Sequence, residues 1–456
     1  MKKFVIIGGG ISGLSLAWFL KRRFGDKISL TIVEKENRLG GYVHTKRKDG
    51  FIFEQGARSC RSKGSGMQTL QLIEQLGLQD QVIAGDPSVK NRYLWIDKKL
   101  RSLPTGPFSF FTSSLMKGVI PALFKDLKTA PSSEKDESIY SFISRRFGSN
   151  IAETLIDPVT TGIYAGDIRQ LSIKSCFPFL HEWEQAHGSV IKGAFKGRKK
   201  KRISSSKFVQ EHQRASLFSL KDGIEILVHE LAYRLREHLL LSNEATAFHF
   251  HPNKVEVDLK DGTILEADYL FSTIPASNLS SLFASHHKEL SDLLASIPSI
   301  SVAVVNLGYH KSVIKKRGFG YLIPSKEKEN ILGVVWDSSI FPQQNQIPEE
   351  TRFTVMLGGA HFHNFDDLTS QECTNIALEA VSEHLRVDTP PDTISVKMAP
   401  KSIPQYLVGH AAKVEAIENI LSRVFPRLTI SGNSYYGVSF NDCIAYSKKL
   451  EENTKL

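Results

Sequence analysis

Cysteine is scarce in this chain. Its four cysteines (Cys60, Cys176, Cys373, Cys443) are scattered without CxxC or CxxxC spacing. That excludes a disulfide framework and a cysteine metal site, and it suits a reducing compartment. The 15 histidines contain no HExxH; His249/His251 and His361/His363 alternate as on strands and read as surface or packing residues, so no metal is expected. Long hydrophobic runs are missing too. The most apolar stretch, 106–124, carries Lys117 and is broken by Pro121, so it is no spanning helix; it reads either as a core element or as an interfacial anchor. Nothing at the N-terminus resembles a signal peptide, because a folded unit begins at Phe4, and a cytoplasmic protein, or one on the cytoplasmic face of a membrane, is expected. Acid is absent from residues 192–207, which hold eight Lys or Arg. This tract accounts for most of the formal charge of +10. It reads as a solvated loop or, alternatively, as an attraction to anionic lipid. No recognition module accompanies it, so no nucleic acid is expected.

What is present starts with size: 456 residues, 41% hydrophobic, can bury a large core in two or three domains. The chain is organised around its first forty-one residues. Phe4-Val5-Ile6-Ile7 reads as a strand buried on both faces. Gly8, Gly10 and Gly13 then give GxGxxG spacing, in which the glycines allow a tight turn, close approach to a pyrophosphate and helix-on-strand packing. Leu14, Ala17 and Trp18 fall at i, i+3 and i+4, so a helix begins there with its positive end toward the phosphates. A second buried strand, 29–33, ends in Glu34, 21 residues past Gly13, where an acid holds a ribose hydroxyl pair. Acid rather than Arg argues against NADP. The continuation, Glu34 to Gly41 with Arg38-Leu39-Gly40-Gly41, looks like the second glycine motif of FAD-dependent oxidoreductases, in which adjacent glycines let the chain lie flat against the cofactor.

Further along, Met67–Leu76 reads as a helix stopped by Gly77, and 91–103 as a hairpin around Asp97-Lys98-Lys99. Residues 134–190 read as mostly helical with a Gly-rich turn at 161–167. Ile224, Leu227, Val228, Leu231 and Leu235 mark one helix face. Residues 255–259, an Asp261-Gly262 turn and 269–273 read as a hairpin-like unit. Strands at 302–307, 320–323, 332–336 and 353–357 suggest a separate antiparallel sheet, a natural wall for a substrate. Finally Leu428–Gly432 and Tyr436-Gly437-Val438-Ser439 repeat strand, glycines and a helix start, whose dipole suits an anionic reduced flavin. Both ends of the chain would then meet on one cofactor.

The chain resembles the protoporphyrinogen oxidase family across nearly its whole length. The matching stretches include 53–58 (FEQGAR), 91–94, 162–166 with 171–178, 319–324, 355–359, 403–406 with Gly409-His410, and 432–438 with 441–444. Two departures stand out: Ala57 where the family usually has Pro, and Thr161 where some members have Arg. The resemblance implies an α/β fold with a discontinuous Rossmann-like FAD-binding domain (1–88, 216–290 and 425–456). It further implies an α+β substrate-binding domain with an antiparallel sheet (89–97 and 291–424) and a helical, membrane-associated subdomain (98–215). The implied cofactor contacts are Gly8, Gly10, Ile11, Ser12, Gly13, Glu34, Lys35, Arg38, Gly40, Gly41, Gly56, Ala57, Arg58, Gly432, Gly437 and Val438.

For the substrate, the resemblance implies a porphyrinogen, an apolar macrocycle edged with carboxylates, which needs aliphatic or aromatic walls and a cation. By resemblance Arg92 is that cation, Phe319, Gly320, Leu322 and Met356 line the slot, and the Gly162 carbonyl faces the reacting ring. The implied reaction is oxidation of protoporphyrinogen IX to protoporphyrin IX in three two-electron steps, with O2 as acceptor giving H2O2. Alternatives are the coproporphyrinogen III oxidases of the same superfamily and, further off, amine oxidase or carotenoid desaturase-like flavoenzymes. A monomer and a homodimer are both compatible with the sequence.

Overall fold

The computed structural model describes residues 1–106, 109–110, 113–197 and 206–456. Most of the basic tract, residues 198–205, and part of the apolar stretch, 107–108 and 111–112, lie outside the described residues.

Five strands form a parallel sheet in the order Leu239–Leu240, Ile28–Val33, Lys2–Ile7, Tyr269–Ser272, Leu428–Ile430. They come from three separated stretches of chain, which makes the nucleotide-binding unit discontinuous. The sheet is covered on both sides, as an all-parallel sheet requires. On one side Phe4, Ile6 and Ile32 pack under Leu14, Ala17, Leu227, Leu231 and Ile444. On the other, Val5, Ile7 and Leu270 meet Leu279, Phe283, Ile417 and Leu421. The helix Ile226–Arg234 buries the face expected of it, with Leu227, Val228 and Leu231 each at most 1% exposed, which stabilises the fold by roughly 1.5–3 kcal/mol per side chain. The hairpin expected over 255–273 is different: Val255–Leu259 pairs with Ile264–Ala267, while Tyr269–Ser272 joins the parallel sheet beside Lys2–Ile7. Residues 264–267 alternate with only Ala267 buried, so the partner strand lacks the apolar run that makes 269–272 conspicuous.

A seven-stranded sheet runs Thr393–Pro404, Ser299–Tyr309, Thr351–Gly358, Ile331–Trp336, Gly320–Leu322, Tyr93–Ile96, Lys99–Ser102. The last two strands are the expected hairpin, turned by Asp97 and Lys98 at positive φ. Its junction with Gly320–Leu322 is parallel, so the sheet is mixed rather than wholly antiparallel. Helix Ser370–Leu385 covers one face through Cys373, Ala377 and Val381. On the opposite face Val304 and Leu94 are buried, while Leu322 and Met356 are half-buried. His361 and His363 lie in a turn after Gly358, not on a strand.

The described residues between Val119 and Gly197 are mainly helical, and a further short helix spans Lys207–His212. The first of these stretches is pinned by Arg146, which is fully buried and ion-paired to the equally buried Asp126 and Glu184. The expected Gly-rich turn is instead the end of helix Asp157–Tyr164, preceded by a π turn at Ala152–Ile156, and the left-handed residue that stops it is Ala165 (φ 49°). Helix Val119–Lys128 turns Ile120, Leu123, Phe124 and Leu127 outward, each at least 40% exposed; as a core element this part of the stretch is corrected. Among the described residues no helix is long and apolar enough to cross a membrane, and no group of three or more His, Cys, Asp or Glu is arranged to hold a metal.

Candidate functional site: a glycine-lined groove beneath a mixed sheet

The groove begins where strand Lys2–Ile7 ends. Gly8 adopts φ 108°, a turn that side-chain-bearing residues resist. A Cβ on Gly13 would fall 2.0 Å from the Gly8 carbonyl oxygen, so Gly13 is there for helix-on-strand contact. Gly10 differs: a Cβ there meets nothing nearer than Gly41 Cα at 4.0 Å. Its missing side chain therefore opens space rather than relieving a clash. Ile11 and Ser12 are buried at the helix start. The second motif lies alongside, with Gly40 N donating to Gly9 O at 2.8 Å, and Gly10 bridging Gly40. The Glu34 carboxylate accepts from Gly9 N at 2.7 Å and Glu36 N at 2.9 Å, which holds it at the groove. Lys35 is near Glu36. Arg38 folds back onto the Leu39, Gly41 and Val43 carbonyls and lies 3.5 Å from Glu225, bracing the loop.

Gly56, Ala57 and Arg58 follow strand Phe51–Glu54. A Cβ on Gly56 would meet Tyr42 O at 1.9 Å, so this segment lies against the glycine loop. Ala57 packs on the core below. One buried guanidinium nitrogen of Arg58, Nη1, has no hydrogen-bond partner among the described residues, which fits a missing acceptor. Beneath, Glu54 accepts from Ile224 N at 2.7 Å and Thr45 Oγ1 at 2.8 Å; burial pushes its carboxyl up to about 8.

The C-terminal motif reaches the same place. A Cβ on Gly432 would lie 4.0 Å from Ser12 Oγ, and Ser447 Oγ donates to Ser12 O at 2.9 Å. Tyr406 Oη receives Gly437 N at 2.8 Å and donates to Asn433 O at 2.5 Å, fixing the loop before helix Phe440–Asn453. Val438 packs toward the helical segment.

On the sheet face away from helix Ser370–Leu385, strand register sets one row of side chains. Across paired strands it reads Lys397, Val304, Met356, Gly333, Leu322, Leu94, Arg101. Gly162 faces this row: its Cβ would stand 3.0 Å from Leu322 Cδ2. Gly162 sits in the last turn of its helix, and no backbone donor among the described residues outside that helix takes its carbonyl. That carbonyl carries the helix's partial negative charge. The neighbouring carbonyls of Tyr164 and Ala165 are taken by Gln405 Nε2 and Ala360 N, both at 2.8 Å. Gly320 is one pleat away, its Cβ position only 2.1 Å from Val334 O. Arg92 precedes the hairpin and lies over the Phe319 ring at 5.5 Å. Phe319 packs with Ile83, Ile340 and Val335, so it belongs to the groove's edge, not to the Leu322–Met356 row. Thr161 is buried, its hydroxyl donating to Pro158 O at 3.1 Å, and gives the groove no cation. The row ends beside a hollow of about 310 Å³ lined by Arg101, Leu103 and Leu115. Sequence reasoning missed strand Thr393–Pro404 and with it Lys397, although Ile394, Val396 and Met398 alternate toward the covering helix.

A cofactor of dinucleotide length, laid along both glycine motifs and met at its far end by the 432–438 loop, accounts for the open space at Gly10 and the unpartnered Arg58 nitrogen. Such a groove places the protein among the FAD-dependent oxidoreductases. Comparison with known proteins is more specific. The chain belongs to the flavin-containing amine oxidoreductase family, whose profile matches residues 11–448, and within it to the protoporphyrinogen oxidase branch. It is 37% identical to protoporphyrinogen oxidase of Bos taurus over 96% of this chain and 95% of that one. It is 29% identical to coproporphyrinogen III oxidase of Bacillus subtilis over 98% and 96%. The fold matches the crystal structure of a provisionally assigned protoporphyrinogen oxidase from Exiguobacterium sp. 255-15 with a TM-score of 0.84 at 24% identity, covering 99% and 98% of the chains.

Proposed function

We propose that the protein oxidises protoporphyrinogen IX to protoporphyrin IX, with O2 as acceptor. The observation that carries this reading is Gly162, whose Cβ direction meets Leu322 in the row that also holds Met356, and whose carbonyl no backbone donor among the described residues outside its helix takes. The Gly8–Gly13, Glu34–Gly41, Gly56–Arg58 and Gly432–Val438 segments would hold FAD, which would supply the two-electron oxidation chemistry with O2 as final acceptor. The residues of this chain do the rest. Leu322 and Met356 hold the macrocycle and exclude water. The helix end at Gly162 stabilises the positive charge that builds on the ring as a hydride departs and orients the ring N–H that loses a proton. Arg92, stacked on Phe319, receives a propionate. No side chain acts as a covalent nucleophile.

Side-by-side turnover of protoporphyrinogen and coproporphyrinogen tests the assignment: preference for the first supports it, and preference for the second overturns it in favour of the coproporphyrinogen branch. A finer part of the same reading concerns location. The outward row Ile120, Leu123, Phe124 and Leu127, with Lys117, Lys125 and Lys128 beside it, suits shallow insertion into an anionic bilayer surface. Flotation with anionic vesicles that is lost in Phe124→Asp supports this; flotation unaffected by the substitution, or none at all, overturns it.

A further inference from the structure

Strand Thr393–Pro404 crosses the site from the cofactor side to the helix side. At its near end Ser395 Oγ accepts from Gln55 Nε2 at 2.9 Å, and Gln55 immediately precedes Gly56. At its far end Ala399 packs with Ala165 and Val302, three residues from Gly162. Lys397 lies midway between them, on the same face. It is exposed, while Ile394, Val396 and Met398 turn away to pack under helix Ser370–Leu385. Register sets it opposite Val304, one step from Met356. Its charge reaches the second glycine loop: His44 is held below its usual range by burial first, with Glu225 opposing and Arg38 and Lys397 adding to the effect. No hydrogen bond or carboxylate partner among the described residues holds the Lys397 ammonium. A cation with no such partner among the described residues thus stands on the strand stretch that runs from Ser395, bonded to Gln55, to Ala399, packed on Ala165. Arg92, at the other side of the sheet, is too far along the row to serve the same point: five strand spacings of about 4.8 Å, roughly 24 Å, separate their strands.

We propose that Lys397 is a further catalytic residue, whose ammonium faces the reactive edge of the bound flavin and holds the negative charge of the reduced ring and of oxygen as it is reduced. In that oxidative half, O2 gains two electrons and two protons and leaves as H2O2, while the cofactor returns to its oxidised form. A fixed cation at the site of developing negative charge is an electrostatic contribution that needs no rearrangement during the step. The inference rests on the flavin reading of the groove and is independent of which porphyrinogen is used.

The test loads wild type, Lys397→Met and Lys397→Arg with FAD and measures the reduction potential of the bound cofactor by anaerobic dye equilibration, with no porphyrinogen present. Lys397→Met is expected to shift the equilibrium tenfold toward the oxidised form, about 30 mV for a two-electron couple. Lys397→Arg is expected to stay within twofold of wild type. Mixing the reduced proteins with O2 is expected to show reoxidation at least tenfold slower in Lys397→Met only. An unchanged potential in Lys397→Met overturns the placement. A lowered potential with an unchanged oxygen rate overturns the oxygen part. Loss of FAD from Lys397→Met that Lys397→Arg restores supports a role for the charge; loss from both overturns it. Since porphyrinogen is absent, failure here leaves the substrate assignment standing, and a wrong substrate assignment leaves this result intact.

Discussion

Alanine at Gly10 separates cofactor binding from folding. In the protein alone the added methyl meets nothing within 4.0 Å except Gly41 Cα at that limit, and Gly10 has φ −72°, ψ 177°, which alanine adopts freely. The apo fold therefore has no reason to weaken, and reduced freedom of the unfolded chain is expected to stabilise it by about 0.4–1 kcal/mol. The methyl does enter the space assigned to the pyrophosphate. Overpacking of that kind costs about 1–3 kcal/mol, or roughly 5- to 150-fold in affinity for FAD. Gly13→Ala is the contrast: its Cβ would lie 2.0 Å from Gly8 O, so stability and FAD binding are expected to fall together. Urea unfolding of the apoproteins, with fluorescence titration of FAD, reads both effects. Wild-type FAD affinity in Gly10→Ala would refute the placement of the cofactor over Gly10; a destabilised apoprotein would refute the claim that the space is open.

Arg92→Ala is expected to raise KM for protoporphyrinogen about tenfold or more, the value of one charge-assisted pair, while leaving FAD affinity alone; unchanged KM in steady-state assays contradicts the propionate role. Arg146→Ala strands the buried carboxylates of Asp126 and Glu184 and is expected to cost about 3–5 kcal/mol, read by urea unfolding, with a loss below about 1 kcal/mol counting against the pinning role. Glu54 titrates at about 8 in the folded protein against 4.5 ordinarily. The folded state then binds the extra proton between those values, so stability falls as pH rises through that window, by up to about 1.4 kcal/mol per pH unit. Glu54→Gln is expected to flatten this slope in unfolding measurements from pH 5 to 8, and an unchanged slope would contradict it.

The ends of the chain were legible because each element there carries its own local signal. The Phe4–Ile7 run, the glycine spacing and Glu34 fix a parallel strand, a turn and an acid at the groove without help from distant contacts. The strands of the mixed sheet showed through their apolar runs for a similar reason. Thr393–Pro404 did not, because Lys397, Pro400, Lys401 and Pro404 interrupt it, and only the helix packed on its other face makes Ile394, Val396 and Met398 a stripe. The turn near Gly162 was misplaced for a different reason. Glycines at 162 and 166 suggest a loop, yet the helix continues to Tyr164 and stops at Ala165, held by Gln405 and Ala360 from remote parts of the chain. Thr161 illustrates the limit of a motif: its hydroxyl is closed into its own helix by a bond to Pro158 O.

The most direct measurement is a single anaerobic mixing of the FAD-loaded protein with protoporphyrinogen IX, following flavin and porphyrin absorbance together. The account predicts that the flavin band bleaches without O2 and that one protoporphyrin appears for every three flavins reduced. A flavin band that stays oxidised while bound protoporphyrinogen persists would contradict it.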